Sequence, residues 1–298
     1  MVPPTNPEAA HPEAVALDDH SHWQGYLQLV YARHGAETQV SASQIKAPLK
    51  VQRPFYPEAK DVCHSVILHT AGGVVGGDRL TIDLNLHPQA NALVTTAAAA
   101  KIYRTNGLEA RQTMQVDLGA GACLEWFPQE TIVFEQARYR QETRVDLAAG
   151  AIWVGWEITR FGRTARGERF LAGDWRSQTE VWQQGKPLWI DRQWLPGSQT
   201  MVDSPHSLAG CPVVGSFALV GLSVEADLVH AARLLAKDLS SDANFGATRL
   251  QSGLLCRYRG HSTIEVRQWF LDIWQLVRPL YLHRSICIPR VWQLGQRC

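Results

Sequence analysis

The 298-residue chain is short of the features that usually announce a chemistry. Its six cysteines (Cys63, Cys123, Cys211, Cys256, Cys287 and Cys298) never adopt C-x-x-C spacing. No zinc-knuckle or dithiol motif is therefore written into it, and reduced, mostly buried thiols are expected. The eleven histidines never form H-E-x-x-H, and there is no G-x-S-x-G elbow for a nucleophilic serine. Charge of one sign is not in excess: 29 Lys and Arg face 28 Asp and Glu, a formal net charge of +1. That balance leaves no electrostatic footprint for nucleic acid or an anionic membrane. No apolar run reaches the ~18 residues of a membrane span. The N-terminal stretch MVPPTNPEAAHPEAVALDDH lacks the basic flank and apolar core of a secretion signal. Residues 1–22 read as a disordered tail and 23–298 as a single β-rich domain in a cytoplasmic protein.

What is present is strand pattern. From Trp23 to about Val202, short alternating runs such as YLQLVYA, HSVILH and RLTIDLNL are separated by Gly, Pro and Asn turns. Three segments look like copies of one unit: TIDLNLHPQANALVTT, TMQVDLGAGACLEWFP and TRVDLAAGAIWVGWE. Each is a strand, then Leu-x-x-(Gly or Gln)-Ala, then another strand, with Leu86, Leu118 and Leu147 at equivalent points 32 and 29 residues apart. A two-strand unit at this period predicts stacked, coiled β layers, β-helix-like or a sandwich, each layer covering the next one's apolar face. The region 196–216 is rich in Pro, Gly and Ser and reads as a mobile link. Beyond it the period changes, giving a helical patch at about 223–279. EADLVHAARLLAKDL places Leu228, Ala232, Leu235 and Leu239 on one helical face. STIEVRQWFLDIWQLVRPL opens on a Ser262–Glu265 capping box, presents Val266, Trp269, Phe270, Ile273, Trp274 and Val277 on one face, and stops at Pro279. The fold class is thus a mainly β, layered body with two C-terminal α-helices packed on it.

HTAGGVVGGDRL (69–80) carries four glycines and an Asp. A phosphate loop would follow the second Gly pair with Lys and Ser or Thr, and a dinucleotide fingerprint would open a helix. Here Gly77 precedes Asp78, and the following RLTIDLNL alternates as a strand does. Gly72, Gly73, Gly76 and Gly77 are therefore read as backbone devices, needed for positive φ or for the close approach of another segment. Asp78 either caps the turn or faces an ion.

Taken together, PLKVQRPFYPE (48–58), GGVVGGD (72–78), TTAAAAKIYR (95–104), LEWFPQETIVFE (124–135), FGRTARGERF (161–170) and IPRVW (288–292) resemble, in this order, the urease accessory protein D family, also written UreD or UreH. The resemblance spans roughly 23–293. It implies a cytosolic, non-enzymatic scaffold standing between urease apoprotein and two partners, the all-helical accessory protein UreF and the GTP-hydrolysing UreG, which together deliver nickel to urease. It also implies a coiled-layer β body with two helices, and no tightly bound cofactor, only Ni²⁺ in transit. Within the motifs, Gly72, Gly73, Gly76, Gly77, Thr95, Thr96, Lys101, Tyr103 and Arg163 are expected to carry structure.

Several carboxylates lie in or beside these motifs: Asp78, Glu125, Glu130, Glu157 and Glu168. Ni²⁺ is held tightly by imidazole and thiolate, so a path that must release it suits carboxylate oxygens and water. Asp78, Glu130 and Glu168 are the expected path residues. The competing readings are a turn cap for Asp78, a strand-edge ion pair for Glu130, and an Arg163–Glu168 salt bridge ordering its loop. Trp269, Phe270 and Trp274 carry more apolar bulk than a surface helix needs and are expected to dock the helical partner. Trp153 and Trp156, an odd distance apart, should face opposite ways on one strand. The alternative function is an all-β polysaccharide hydrolase using two carboxylates about 5 to 10 Å apart in an open cleft.

Overall fold

In the computed structural model, residues 22–293 are described. Most of the expected tail, with His11 and His20, and the terminal Cys298 lie outside them. In chain order the strands are β1 Gln24–His34, β2 Glu37–Lys46, β3 Leu49–Val51, β4 Val62–His69, β5 Arg79–Leu86, β6 Asn91–Thr96, β7 Ala100–Ile102, β8 Ala110–Leu118, β9 Cys123–Phe127, β10 Thr131–Val133, β11 Arg138–Leu147, β12 Ile152–Phe161, β13 Asp174–Gln183, β14 Lys186–Pro196, β15 Val213–Val220, β16 Asn244–Leu250 and β17 Gly253–Gly260. The α-helices are α1 Gln199–Asp203, α2 Ala226–Leu234, α3 Thr263–Val277, α4 Pro279–Leu282 and α5 Arg290–Gln293.

The chain coils. Successive strands alternate between a seven-stranded sheet ordered β14-β13-β11-β8-β5-β1-β2 and a larger sheet whose path runs β16-β17-β15-β12-β9-β6-β4-β3. Neighbouring coils pair in parallel, as in β5 with β8, β8 with β11, and β6 with β9. A third, short face closes each coil, where β7, β10 and the end of β12 pair in parallel. Antiparallel hairpins, β1 with β2 and β13 with β14, finish the seven-stranded sheet at its two ends. The expected stacking is realised at the predicted points: Leu86 pairs with Leu118, and Leu118 with Leu147.

The corner after each leucine explains the repeat. Gln89, Gly121 and Gly150 occupy the same step and take φ of 64°, 65° and 69°. That left-handed step turns the chain from one sheet into the other. The corners also bond to one another: Gln89 N donates to Ala120 O at 3.0 Å, and Gly121 N to Ala149 O at 3.1 Å. The following Ala90, Ala122 and Ala151 are fully buried where a larger side chain would part the layers.

The larger sheet is covered on both faces, which is why β4 and β9 are buried along most of their length instead of alternating. One core lies inside the coil and contains Trp126, Trp153 and Leu118. The other lies between this sheet and the helices and contains Phe127, Trp156, Trp269 and Trp274. Trp153 and Trp156 do face opposite ways, and each is buried in its own core.

Helix α3 begins where expected: Ser262 Oγ accepts from Glu265 N at 3.2 Å. The reciprocal half of the capping box is absent, because Glu265 accepts hydrogen bonds from Tyr258 Oη and Ser240 Oγ instead. The buried face of α2 is centred on Val229 and Ala232, with Leu228, Leu235 and Leu239 only flanking it. Residues 196–216, read as a mobile link, hold α1, capped by Ser198 through Met201 N, and the first residues of β15. Trp269, Phe270 and Trp274 are 0–1% exposed. Their docking role is replaced by packing, since presenting them to a partner would unpack the helix from its sheet.

A buried ionic network fastens the C-terminal helices. Arg278, fully buried, donates to Glu125 Oε1 and Oε2 at 3.0 Å each and to Glu58 at 2.8 and 2.9 Å. Trp274 Nε1 and Tyr281 Oη also donate to Glu125, at 2.6 and 2.7 Å. His64 reaches Glu58 at 2.8 Å. Burial alone would raise the Glu58 carboxyl, but the hydrogen bonds from His64 and Arg278, with the Arg278 charge, hold it down at about 2. The closing motif joins the same layer: Trp292 Nε1 donates to Thr95 Oγ1 at 3.1 Å and its ring lies 5.3 Å from that of Trp156.

Candidate functional site

The glycine stretch is built as a clamp. Gly72 and Gly77 take φ of 74° and 95°, while Gly76 is not at positive φ. Gly73 and Gly76 are required by close approach instead: an added Cβ would lie 2.9 Å from Lys101 O and 2.6 Å from Leu108 O respectively. Tyr103 lies directly against Gly73 and packs edge-on against Phe134. Asp78, fully buried, accepts from Val75 N and Trp23 N at 2.9 Å each. It therefore caps the turn and ties down the start of β1. His22, assigned to the tail by its sequence, stands against Gly77.

The other expected path residues are also engaged by the protein. Glu130 is ion-paired with Arg267 of α3. Glu168 pairs with Arg163 and accepts from Glu135 N at 2.9 Å. Burial would raise the Glu168 carboxyl, but Arg163 and the two backbone donors lower it below the usual range. Arg163 also lies over the Phe134 ring at 4.7 Å. Asp78, Glu130 and Glu168 thus realise the three structural alternatives, and the three do not share a cavity: Glu168 lines one of about 490 Å³ with Phe161, Phe170 and His261.

A different cavity, of about 430 Å³, runs into the coil between its sheets. At one end it is lined by exposed Gly72, Ala98, Ala100 and Lys101, with Gly73, Thr96 and His69. At the other it reaches Gln112, Gln141 and Glu157. The four alanines after Thr96 supply methyl groups only, so their wall takes little space. Thr95, next in the chain, points to the opposite face and donates to Phe127 O at 2.6 Å.

Glu157 is the carboxylate of this cavity. It accepts hydrogen bonds from Gln141 Nε2 at 2.8 Å, Ser177 Oγ at 3.0 Å and Thr179 Oγ1 at 3.3 Å. Burial, and next Asp191 nearby, push its pKa up against those three bonds. No cation stands beside it among the described contacts. On β12, Glu157 lies two inward–outward steps beyond Trp153 and so points into the coil as Trp153 does, and Gln141, Thr143, Ser177 and Thr179 fill inward positions of β11 and β13 that apolar side chains fill elsewhere. That run of polar residues on a core face was the available signal for the cavity.

Among the described residues no group of three or more His, Cys, Asp or Glu side chains could hold a metal. His64 and His69 face opposite sides of β4: His64 meets Glu58, and His69 lines the cavity, its pKa lowered by burial despite the pull of Asp78. The described cysteines are all free, and burial raises each thiol above its ordinary value. A single carboxylate among the cavity's lining residues does not make the paired geometry that glycoside hydrolysis requires. No helix among the described residues is long and apolar enough to cross a membrane.

Sequence comparisons agree with this arrangement over nearly the whole chain. The profile of the family described as UreD urease accessory protein matches residues 24–293. The urease accessory protein UreD of Nostoc punctiforme is 63% identical over 272 residues, covering 91% of this chain and 96% of the relative. That of Trichormus variabilis is 60% identical over 271 residues, with coverage of 91% and 96%. That of a Synechocystis species is 44% identical over 258 residues, with coverage of 86% and 96%.

Proposed function

From the premise that this chain belongs to the UreD family of urease accessory proteins, we propose that it serves urease maturation as a non-catalytic scaffold through which nickel passes to the apoenzyme. The work is set in the cytoplasm, and the partners are urease apoprotein, the all-helical UreF and the GTP-hydrolysing UreG.

The observation that carries the nickel reading is Glu157 at the inner end of the coil cavity. A half-buried carboxyl with a raised pKa, facing a cavity, is poised to release a proton when a divalent cation arrives and to take one back when it leaves. The hydroxyl oxygens of Ser177 and Thr179 lie beside it, and a donor set of hard oxygens binds Ni²⁺ less tightly than an imidazole or thiolate cage. This suits cargo in transit. Asp78, Glu130 and Glu168, first expected as path residues, support the fold around the path.

The test is nickel-dependent urease activation in cells carrying the other accessory proteins. Removing this chain should abolish activation. Glu157→Ala should lower it several-fold while the chain still co-purifies with its partners. Full activation without the chain would end the maturation reading; full activation by Glu157→Ala would end the role of this carboxylate.

A further inference from the structure

The outer face of the seven-stranded sheet carries an arginine ladder. Register places Arg79 opposite Arg111, Arg111 opposite Arg140, and Arg140 opposite Arg176, on four consecutive parallel strands. Their chain neighbours Leu80, Ala110, Tyr139 and Trp175 are buried in the coil, so the arginines face outward. Side chains of Arg111, Arg140 and Arg176 are 36–44% exposed. Like charges directly opposite across strands are unfavourable, yet the carboxylates within this row are too few to neutralise it. Glu142 is shared by Arg111 and Arg140, Asp174 pairs with Arg176, and Arg79 donates to backbone carbonyls of Asp78 and Glu109.

The ladder ends at an aromatic edge. Trp194 of β14 lies opposite Arg176, is 60% exposed, and has the guanidinium 5.2 Å from its ring centre. Ile190, on the same outward side of β14, is also exposed. At the far end of the same strands the charge reverses. Asp117 stands opposite Asp146, about 20 Å along the strand from the arginines. Burial, together with Asp146 and Asp83, raises the Asp117 pKa.

We propose that this face docks a protein partner through an acidic α-helix laid across the strands along the arginine ladder. The spacing selects a helix. Strands stand about 4.8 Å apart, so the ladder's three steps cover about 14 Å. One helical turn rises about 5.4 Å, so carboxylates on one helical face cover about 16 Å in three turns, within the reach of arginine side chains. An extended segment would place same-side carboxylates about 6.8 Å apart and lose register by the third step. The aspartates at the other end oppose a long polyanion such as nucleic acid and favour a protein surface whose charge changes sign. Trp194 and Ile190 supply the apolar rim for such a contact. The inference rests on the maturation reading only for the setting in which the partner is met.

The test uses the full-length chain and two fluorescent, end-blocked alanine-rich peptides of about 18 residues. One carries four glutamates on a single helical face; the other has the same composition with the glutamates spread around the helix. At low salt the one-faced peptide should bind, and the affinity should fall steeply as salt is added. Replacing Arg111, Arg140 and Arg176 together by Gln should weaken it about tenfold, while Asp117→Asn with Asp146→Asn should not weaken it. If the triple variant does not fold, Arg140→Gln alone decides, with about a threefold loss expected. Equal binding of both peptides, or no loss in the Arg variants, overturns the proposal; so does tighter binding of a single-stranded oligonucleotide than of the one-faced peptide. Because no urease is present, a negative result removes the ladder's role and leaves the maturation reading standing. A failure of urease activation with peptide binding intact does the reverse.

Discussion

Glu157 carries the sharpest residue-scale expectations. Its pKa is raised in the folded protein, so the folded state holds its proton more strongly than the unfolded chain does. Stability therefore falls as pH rises from the unfolded carboxyl's value through the folded one. Glu157→Gln keeps the shape and removes that cost. It should raise the thermal midpoint by roughly 2–4 °C at pH 8 and by less at pH 4, while lowering urease activation. A midpoint that drops at pH 8 would show that the carboxylate is structurally required. Gly76→Ala should destabilise by more than 1 kcal/mol, or shift the chain, because its methyl meets the Leu108 carbonyl; urea titration measures it. The glycines and Asp78 were legible in sequence as a turn device. Which of the four needs positive φ was not, because that depends on where the 101–108 segment lies. Glu157 was legible as one acid among several. Its selection required knowing that Ser177 and Thr179, 20 and 22 residues further on, point at the same space.

At the scale of elements, the stacked corners and the C-terminal helix define what can be removed. Leu118 sits between Leu86 and Leu147 in the ladder and is buried. Leu118→Ala should cost about 2–5 kcal/mol, measured by chemical denaturation. The Arg278 network should be less forgiving. Arg278→Ala leaves the fully buried Glu125 without its cation and should cost about 3–5 kcal/mol. Paired replacement by Arg278→Met and Glu125→Gln should recover part of that loss. The network also sets an acid limit. With Glu58 held near 2 against an ordinary 4.5, its contribution is complete above about pH 4.5 and is lost as pH falls toward 2. The loss is worth about 3 kcal/mol, read from stability between pH 5 and 2. The repeat and α3 were visible because both are local patterns, a corner every 29 or 32 residues and a period of 3.6. The docking role assigned to Trp269, Phe270 and Trp274 failed because amphipathic period reports only that a face is covered. It does not say whether the cover is the chain's own sheet.

For the whole molecule, a chain that acts as a scaffold should be judged by what accompanies it. Affinity-tagged protein from cells expressing the urease genes should bring down a helical and a GTP-hydrolysing companion; recovery of the tagged chain alone would contradict that role. Family membership, coil period, strand faces and the boundaries of α3 follow from the order of residues, because each depends on neighbours close in sequence or on motifs kept in line. The cavity, the Arg278 network and the arginine ladder depend on tertiary structure. They are assembled from residues 16 to 220 positions apart that touch only after the strands have taken register. A one-residue slip would turn the arginines inward and the core outward. Sequence thus states which side chains alternate, and only the packed coil decides which of them meet.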